Sequence, residues 1–75
     1  MERYKNLAGD SKVIAYEYGS DFIRVQFKDN SVYRYTYGSA GNVNIEQMKK
    51  LANAGHGLNS FINTHVRKLY QSKER

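Results

Sequence analysis

Cysteine is absent from the chain, which excludes disulfides and any thiolate zinc site. A sequence of 75 residues must then hold a single domain together by packing alone, near the lower size at which unstapled chains fold. Proline is absent too, and no repeat or linker breaks the pattern. No apolar run approaches the roughly 18 residues of a membrane span, and MERYKNLAGD lacks the apolar segment of a signal peptide. The expected setting is the cytoplasm of a cell, or of a phage-infected one.

What is present points to a folded domain. Hydrophobic residues make up 40% of the chain, with seven tyrosines and three phenylalanines, a globular composition. The net charge is +5 and is unevenly spread. From Glu46 onward, Lys49, Lys50, Arg67, Lys68, Lys73 and Arg75 face only Glu46 and Glu74. A basic helical half suits an anionic partner such as nucleic acid, although a few net charges also serve solubility alone.

Residues 1–10 read as a loosely held lead-in, 11–71 as one domain and 72–75 as a frayed tail. Strand patterns fall near 12–18, 21–27 and 31–37, rich in aromatic and β-branched residues. Parity sets their register. A three-residue turn, Lys28-Asp29-Asn30, pairs Phe27 with Ser31, Val25 with Tyr33 and Ile23 with Tyr35, with Asn30 left-handed. A two-residue turn would set Arg34 against Val25 and bury an unpaired charge, which is far more costly. Tyr33 and Tyr35 thus belong to the core, Tyr37 to its margin, and their hydroxyls are expected to find partners at the core edge.

Two helical patterns follow, over about 44–54 and 58–71. Asn44 suits an N-cap, Gln47 completes a capping box, and Val43 with Met48 fits a hydrophobic staple. Ile45, Met48, Leu51 and Ala52 form one apolar stripe, ended by Gly55. Leu58, Phe61, Ile62, Val66 and Leu69 form the second. The expected fold is α+β: a three-stranded antiparallel meander followed by a two-helix hairpin packed on one face, β-β-β-α-α.

VIAYEYGSDFIRVQFKDNSVYRY, followed by LANAGHGLNSFINTHVRKLY, resembles the KTSC domain, a family named after the C-terminal extension of some lysyl-tRNA synthetases. Small stand-alone bacterial and phage proteins share it. The matching features are Phe27, Tyr33-Arg34-Tyr35, Ala54 with Gly57, and Phe61, Asn63, Val66-Arg67 and Tyr70, over roughly residues 11–70. Asn30 stands where the family usually has a turn glycine, and the Val-Pro step before the first helix is missing. The resemblance implies the β-β-β-α-α fold and no established activity; RNA binding has been suggested for the family.

No catalytic or metal site is expected. His56 and His65 lack an accompanying carboxylate pair or helical ligand spacing, and no cofactor is implied. Gly55-His56-Gly57 before a helix is compatible with phosphate, though a helix–helix turn needs glycine in any case. On the open sheet face the register sets Arg24 opposite Arg34, a mildly unfavourable pair. A phosphate backbone beside Phe22 would offset it, as would Glu17 if the first turn has four residues. Lys49, Lys50, Arg67 and Lys68 form a helical basic set, with Asn59, Asn63 and Gln71 adding polar reach.

The leading expectation is a non-enzymatic module that binds RNA or other nucleic acid through Arg67, Lys68, Lys49 and Lys50, or through Arg24 and Arg34 on the opposite face. The alternative is a protein-interaction or host-modulating module. It would use the free edge of the third strand or the Val13/Ala15/Phe22/Val32 surface, as a monomer or weak homodimer.

Overall fold

In the computed structural model, which describes residues 1–75, the three expected strands are joined by two short ones at the ends of the chain. The strands are β1 (Glu2–Arg3), β2 (Val13–Tyr18), β3 (Phe22–Phe27), β4 (Val32–Thr36) and β5 (Ser72–Lys73). They form one antiparallel sheet in chain order. The fold is α+β, but the meander has five strands and not three.

The β3–β4 hairpin follows the parity argument. Ile23 pairs with Tyr35, Val25 with Tyr33 and Arg24 with Arg34. Phe27 N–H donates to Ser31 O at 2.9 Å, Asn30 N–H donates to Phe27 O at 2.8 Å, and Asn30 is left-handed at φ 69°. The Asp29 carboxylate tightens this turn by accepting from Ser31 N–H at 3.0 Å and Ser31 Oγ–H at 2.6 Å. Those bonds hold its pKa below the usual carboxylate value.

Strand β2 departs from simple alternation. Val13 pairs with Phe27 but Ala15 pairs with Gln26, so the register shifts at Ile14. A bulge reverses the facing of whatever precedes it. Val13 therefore enters the core, and the open surface expected to include it keeps only Ala15, Phe22 and Val32. Val32 is itself buried, beneath the tail.

The lead-in is not loose. Tyr4 is only 3% exposed and joins the core; its N–H donates to Ile14 O at 3.0 Å, and its hydroxyl accepts from Leu58 N–H at 3.3 Å. Leu7 N–H donates to Gly55 O at 2.8 Å. Gly55 is left-handed (φ 81°), and a Cβ there would lie 2.6 Å from Lys5 Cβ, so only glycine lets the lead-in pass this close. The tail is no more frayed. Gln71 N–H donates to Arg34 O at 2.6 Å and Glu74 N–H to Val32 O at 2.7 Å. β5 thereby covers the outer side of β4, which is not the free edge that the alternative reading requires.

Three helical segments cover one sheet face: α1 (Tyr37–Ala40), α2 (Asn42–Ala54) and α3 (Leu58–Phe61). A π-helical turn, Ile62–Val66, continues α3. α1 was not anticipated. Thr36 and Ser39 cap it reciprocally, each hydroxyl accepting from the other's backbone N–H at 3.0 Å. Asn44 is consequently inside α2 and not its cap; its Nδ2 donates to Ala40 O at 2.8 Å. Val43 is 78% exposed, so no staple forms with Met48.

Ile45, Met48 and Ala52 of α2, with Leu58, Ile62 and Val66 at intervals of four, pack onto Ile23, Val25 and Tyr35. Burying one such aliphatic side chain contributes about 1.5–3 kcal/mol. Leu69, expected in this stripe, is exposed because the helical path stops after Val66 and the chain turns back to pair with β4.

Candidate nucleic-acid interface

The six basic residues expected to contact nucleic acid are separated by the fold into three environments. Arg24 and Arg34 stand side by side on the open sheet face, as the register required. Glu17 lies opposite Arg24 and its Oε2 accepts from Nη1 at 2.6 Å, the result of the four-residue first turn. Glu74, from the tail, adds a second carboxylate that the sequence reading did not place. It accepts from Arg24 Nη2 at 2.6 Å and lies 3.7 Å from Arg34 Nη1. The Arg34 guanidinium also rests 4.2 Å over the Phe22 ring. Donating to Glu74 and Glu17 raises the Arg24 pKa, and the Arg24 bond holds Glu74 below the ordinary glutamate range. Both arginines already have anionic partners, and Phe22 is covered by one of them.

Lys49 is similarly occupied. Its side chain is 13% exposed, with Nζ donating to Glu46 Oε2 at 2.8 Å and to Ser20 O at 3.0 Å. The Tyr18 and Tyr37 rings lie within 5.8 Å of the ammonium, and the Tyr37 hydroxyl donates to the same Glu46 carboxylate. Lys50 is exposed and makes no ion pair, but stands apart from the cleft described next.

Arg67 and Lys68 border a cleft of about 620 Å³ between the β3–β4 turn and the α3–π segment. Two further cations line it, Lys12 and Lys28, brought together because Lys28 N–H donates to Lys12 O at 2.8 Å. None of the four makes an ion pair within the chain; Asp29 is the one carboxylate in the lining, and its Oδ1 accepts both bonds from Ser31. The cleft is strongly cationic as a result.

Its wall is aromatic. Phe27, Tyr33, Tyr35 and Tyr70 line it. Tyr70 meets Tyr33 in a T-shaped contact with centroids 4.9 Å apart, and Phe27 meets Tyr33 likewise at 5.6 Å. Tyr35 is 2% exposed, and burial pushes its phenol pKa far up. The hydroxyls of Tyr33 and Tyr35 have no partner within the chain, contrary to expectation, because both face the cleft and not a polar core margin. Asn59 and Asn63 complete the lining from the helical side. Their amides form no internal hydrogen bond, unlike those of Asn6, Asn44 and Asn53.

Of the residues that carry the family resemblance, Phe27, Tyr33, Tyr35, Asn63, Arg67 and Tyr70 thus meet in one place. Val66 belongs to the core, Phe61 stacks on His65 at 4.4 Å, and Gly57 takes the left-handed position before α3. Lys12 and Lys28 were missed. The spacing of Asn59, Asn63 and Arg67, one helical turn apart each time, was the available signal for the helical wall.

The Gly55-His56-Gly57 turn is used structurally: Gly55 caps α2, and the Leu58 N–H is given to the Tyr4 hydroxyl. His56 and His65 are both exposed, and no group of three or more His, Cys, Asp or Glu side chains gathers at metal-binding distance. No helix is long and apolar enough to cross a membrane. No protein-family model, curated protein or solved structure matches the chain.

Proposed function

We propose that this protein is a small, non-enzymatic, cytoplasmic nucleic-acid-binding module that favours RNA. The observation that carries this reading is the cleft: four cations without internal partners surround a wall of tyrosine and phenylalanine rings. Cations supply affinity for phosphate, and ring faces suit unstacked bases. The convergence of the resemblance residues on this cleft also supports membership of the KTSC domain family, with its bacterial and phage settings. Of the six basic residues first expected to bind, this reading keeps Arg67 and Lys68, which line the cleft, and adds Lys12 and Lys28. Arg24, Arg34 and Lys49 serve the fold. The outer edge strands, two residues each, offer little for self-pairing and favour a monomer.

Fluorescence anisotropy with labelled RNA at low and moderate salt tests the reading. Four or more phosphate contacts predict a log–log salt slope of roughly −3 to −5. Absence of binding at protein concentrations of tens of micromolar in low salt overturns it.

A further inference from the structure

We infer that the cleft takes one unstacked nucleotide of a single strand, its base against Tyr70 and its edge read by Asn63 and Asn59. This rests on the nucleic-acid reading above and adds which form of the polymer is bound and by what. The volume of about 620 Å³ falls within the roughly 300–1,000 Å³ of pockets that enclose small organic molecules, enough for a nucleotide. A base within a duplex has both faces stacked and its pairing edge used, so it cannot enter.

Three observations converge. Tyr70 is the most exposed of the rings in the lining and stands steeply inclined to the Tyr33 and Tyr35 rings. No ring of the chain lies parallel to it, so the place of a stacked partner is open. Next to it, the Asn59 and Asn63 amides offer a donor and an acceptor each, with no partner in the chain. An amide can satisfy the paired donor and acceptor of a base edge, which a cation cannot. Finally, Arg67 follows Asn63 by four residues on the same helical wall. A phosphate held by Arg67 therefore places the attached base one helical turn away, level with Asn63.

The test is an amide and side-chain chemical-shift titration of the full chain. The probes are oligo(A), oligo(U), oligo(C) and oligo(dT) of about eight nucleotides, alongside an RNA duplex of matched charge. The expected result is that single strands shift the Asn59 and Asn63 side-chain amides and the Tyr70 ring, with the duplex at least about tenfold weaker. Tyr70→Ala should weaken single-strand binding roughly 5- to 150-fold. Because Tyr70 also packs on Tyr33, Asn63→Ala serves as the second variant: Asn63 is exposed, so the fold is undisturbed while differences among the homopolymers shrink.

If the duplex binds as well as the single strands, or shifts are confined to Arg67 and Lys68, the single-nucleotide inference is overturned and nucleic-acid binding stands. If no probe binds, both fall.

Discussion

Arg24 and Glu74, fifty residues apart in the chain, are joined by three hydrogen bonds of 2.6, 3.0 and 3.2 Å on the open face of the sheet. Arg24 belongs to a central strand and Glu74 to the tail. The same tail supplies Tyr70 to the cleft on the opposite face. The ion pair therefore fixes a segment whose other end lines the cleft across the sheet from it.

Glu74→Gln should loosen that segment. Discounted for the partial exposure of both side chains, the loss of global stability is about 0.5–1 kcal/mol. The larger effect is local, with faster amide exchange at Gln71 and Glu74, whose N–H groups bond to β4. Because the Arg24 bond lowers the folded-state pKa of Glu74, its stabilisation is present above the ordinary glutamate value of about 4.3 and disappears as pH falls through the lower folded value. Acid titration of the Ser72 and Lys73 shifts should show this transition in the wild type and lose it in Glu74→Gln.

Tyr35 predicts the opposite limb. Burial raises its folded-state pKa, so its contribution is complete below about pH 10 and declines as pH rises beyond that. Tyr35→Phe should cost little at neutral pH, since the hydroxyl has no partner in the chain, and should flatten the alkaline decline. Urea midpoints at neutral and alkaline pH check this. Tyr16, also raised by burial, leaves a residual slope.

Asn30 holds φ at 69° in the β3–β4 turn. Replacement by alanine should destabilise the protein by about 1 kcal/mol, because a Cβ without a local polar partner disfavours this conformation. Glycine should be tolerated within about 0.5 kcal/mol. Chemical denaturation of the two variants, in parallel, gives the comparison.

Arg67→Glu with Lys68→Glu should reduce the magnitude of the RNA salt slope by about 1 to 2, as two phosphate contacts are lost. Lys50→Glu, away from the cleft, should weaken binding less and leave the slope nearly as it was. Equal effects from both would place binding elsewhere on the surface.

The β3–β4 pairing was legible because an odd turn was the only way to keep Arg34 out of the core. The helical stripe of Ile45, Met48 and Ala52 was legible from its period. Val13 was not, since a bulge adds one residue without a signature in VIAY. The edge strands Glu2–Arg3 and Ser72–Lys73 are too short and polar to alternate, and their pairing is set by Tyr4 and Glu74 docking elsewhere. In the candidate interface, Arg67, Lys68 and Asn63 were legible because they fall within one helical pattern of the sequence. Lys12 and Lys28 lie in different strand ends that only the folded sheet makes neighbours. Lys49 looked free, although Glu46 three residues earlier was its partner.

The sheet lists its strands in chain order, so residues 2–3 and 72–73 lie at opposite borders, four strand spacings apart. At about 4.8 Å per spacing this is ~19 Å. A circular permutant joining the two borders directly would need a bridge of about six extended residues. A shorter bridge would draw β5 away from β4, and with it the Tyr70 side of the cleft, so bridge length is a way to tune the cleft without altering a residue in it.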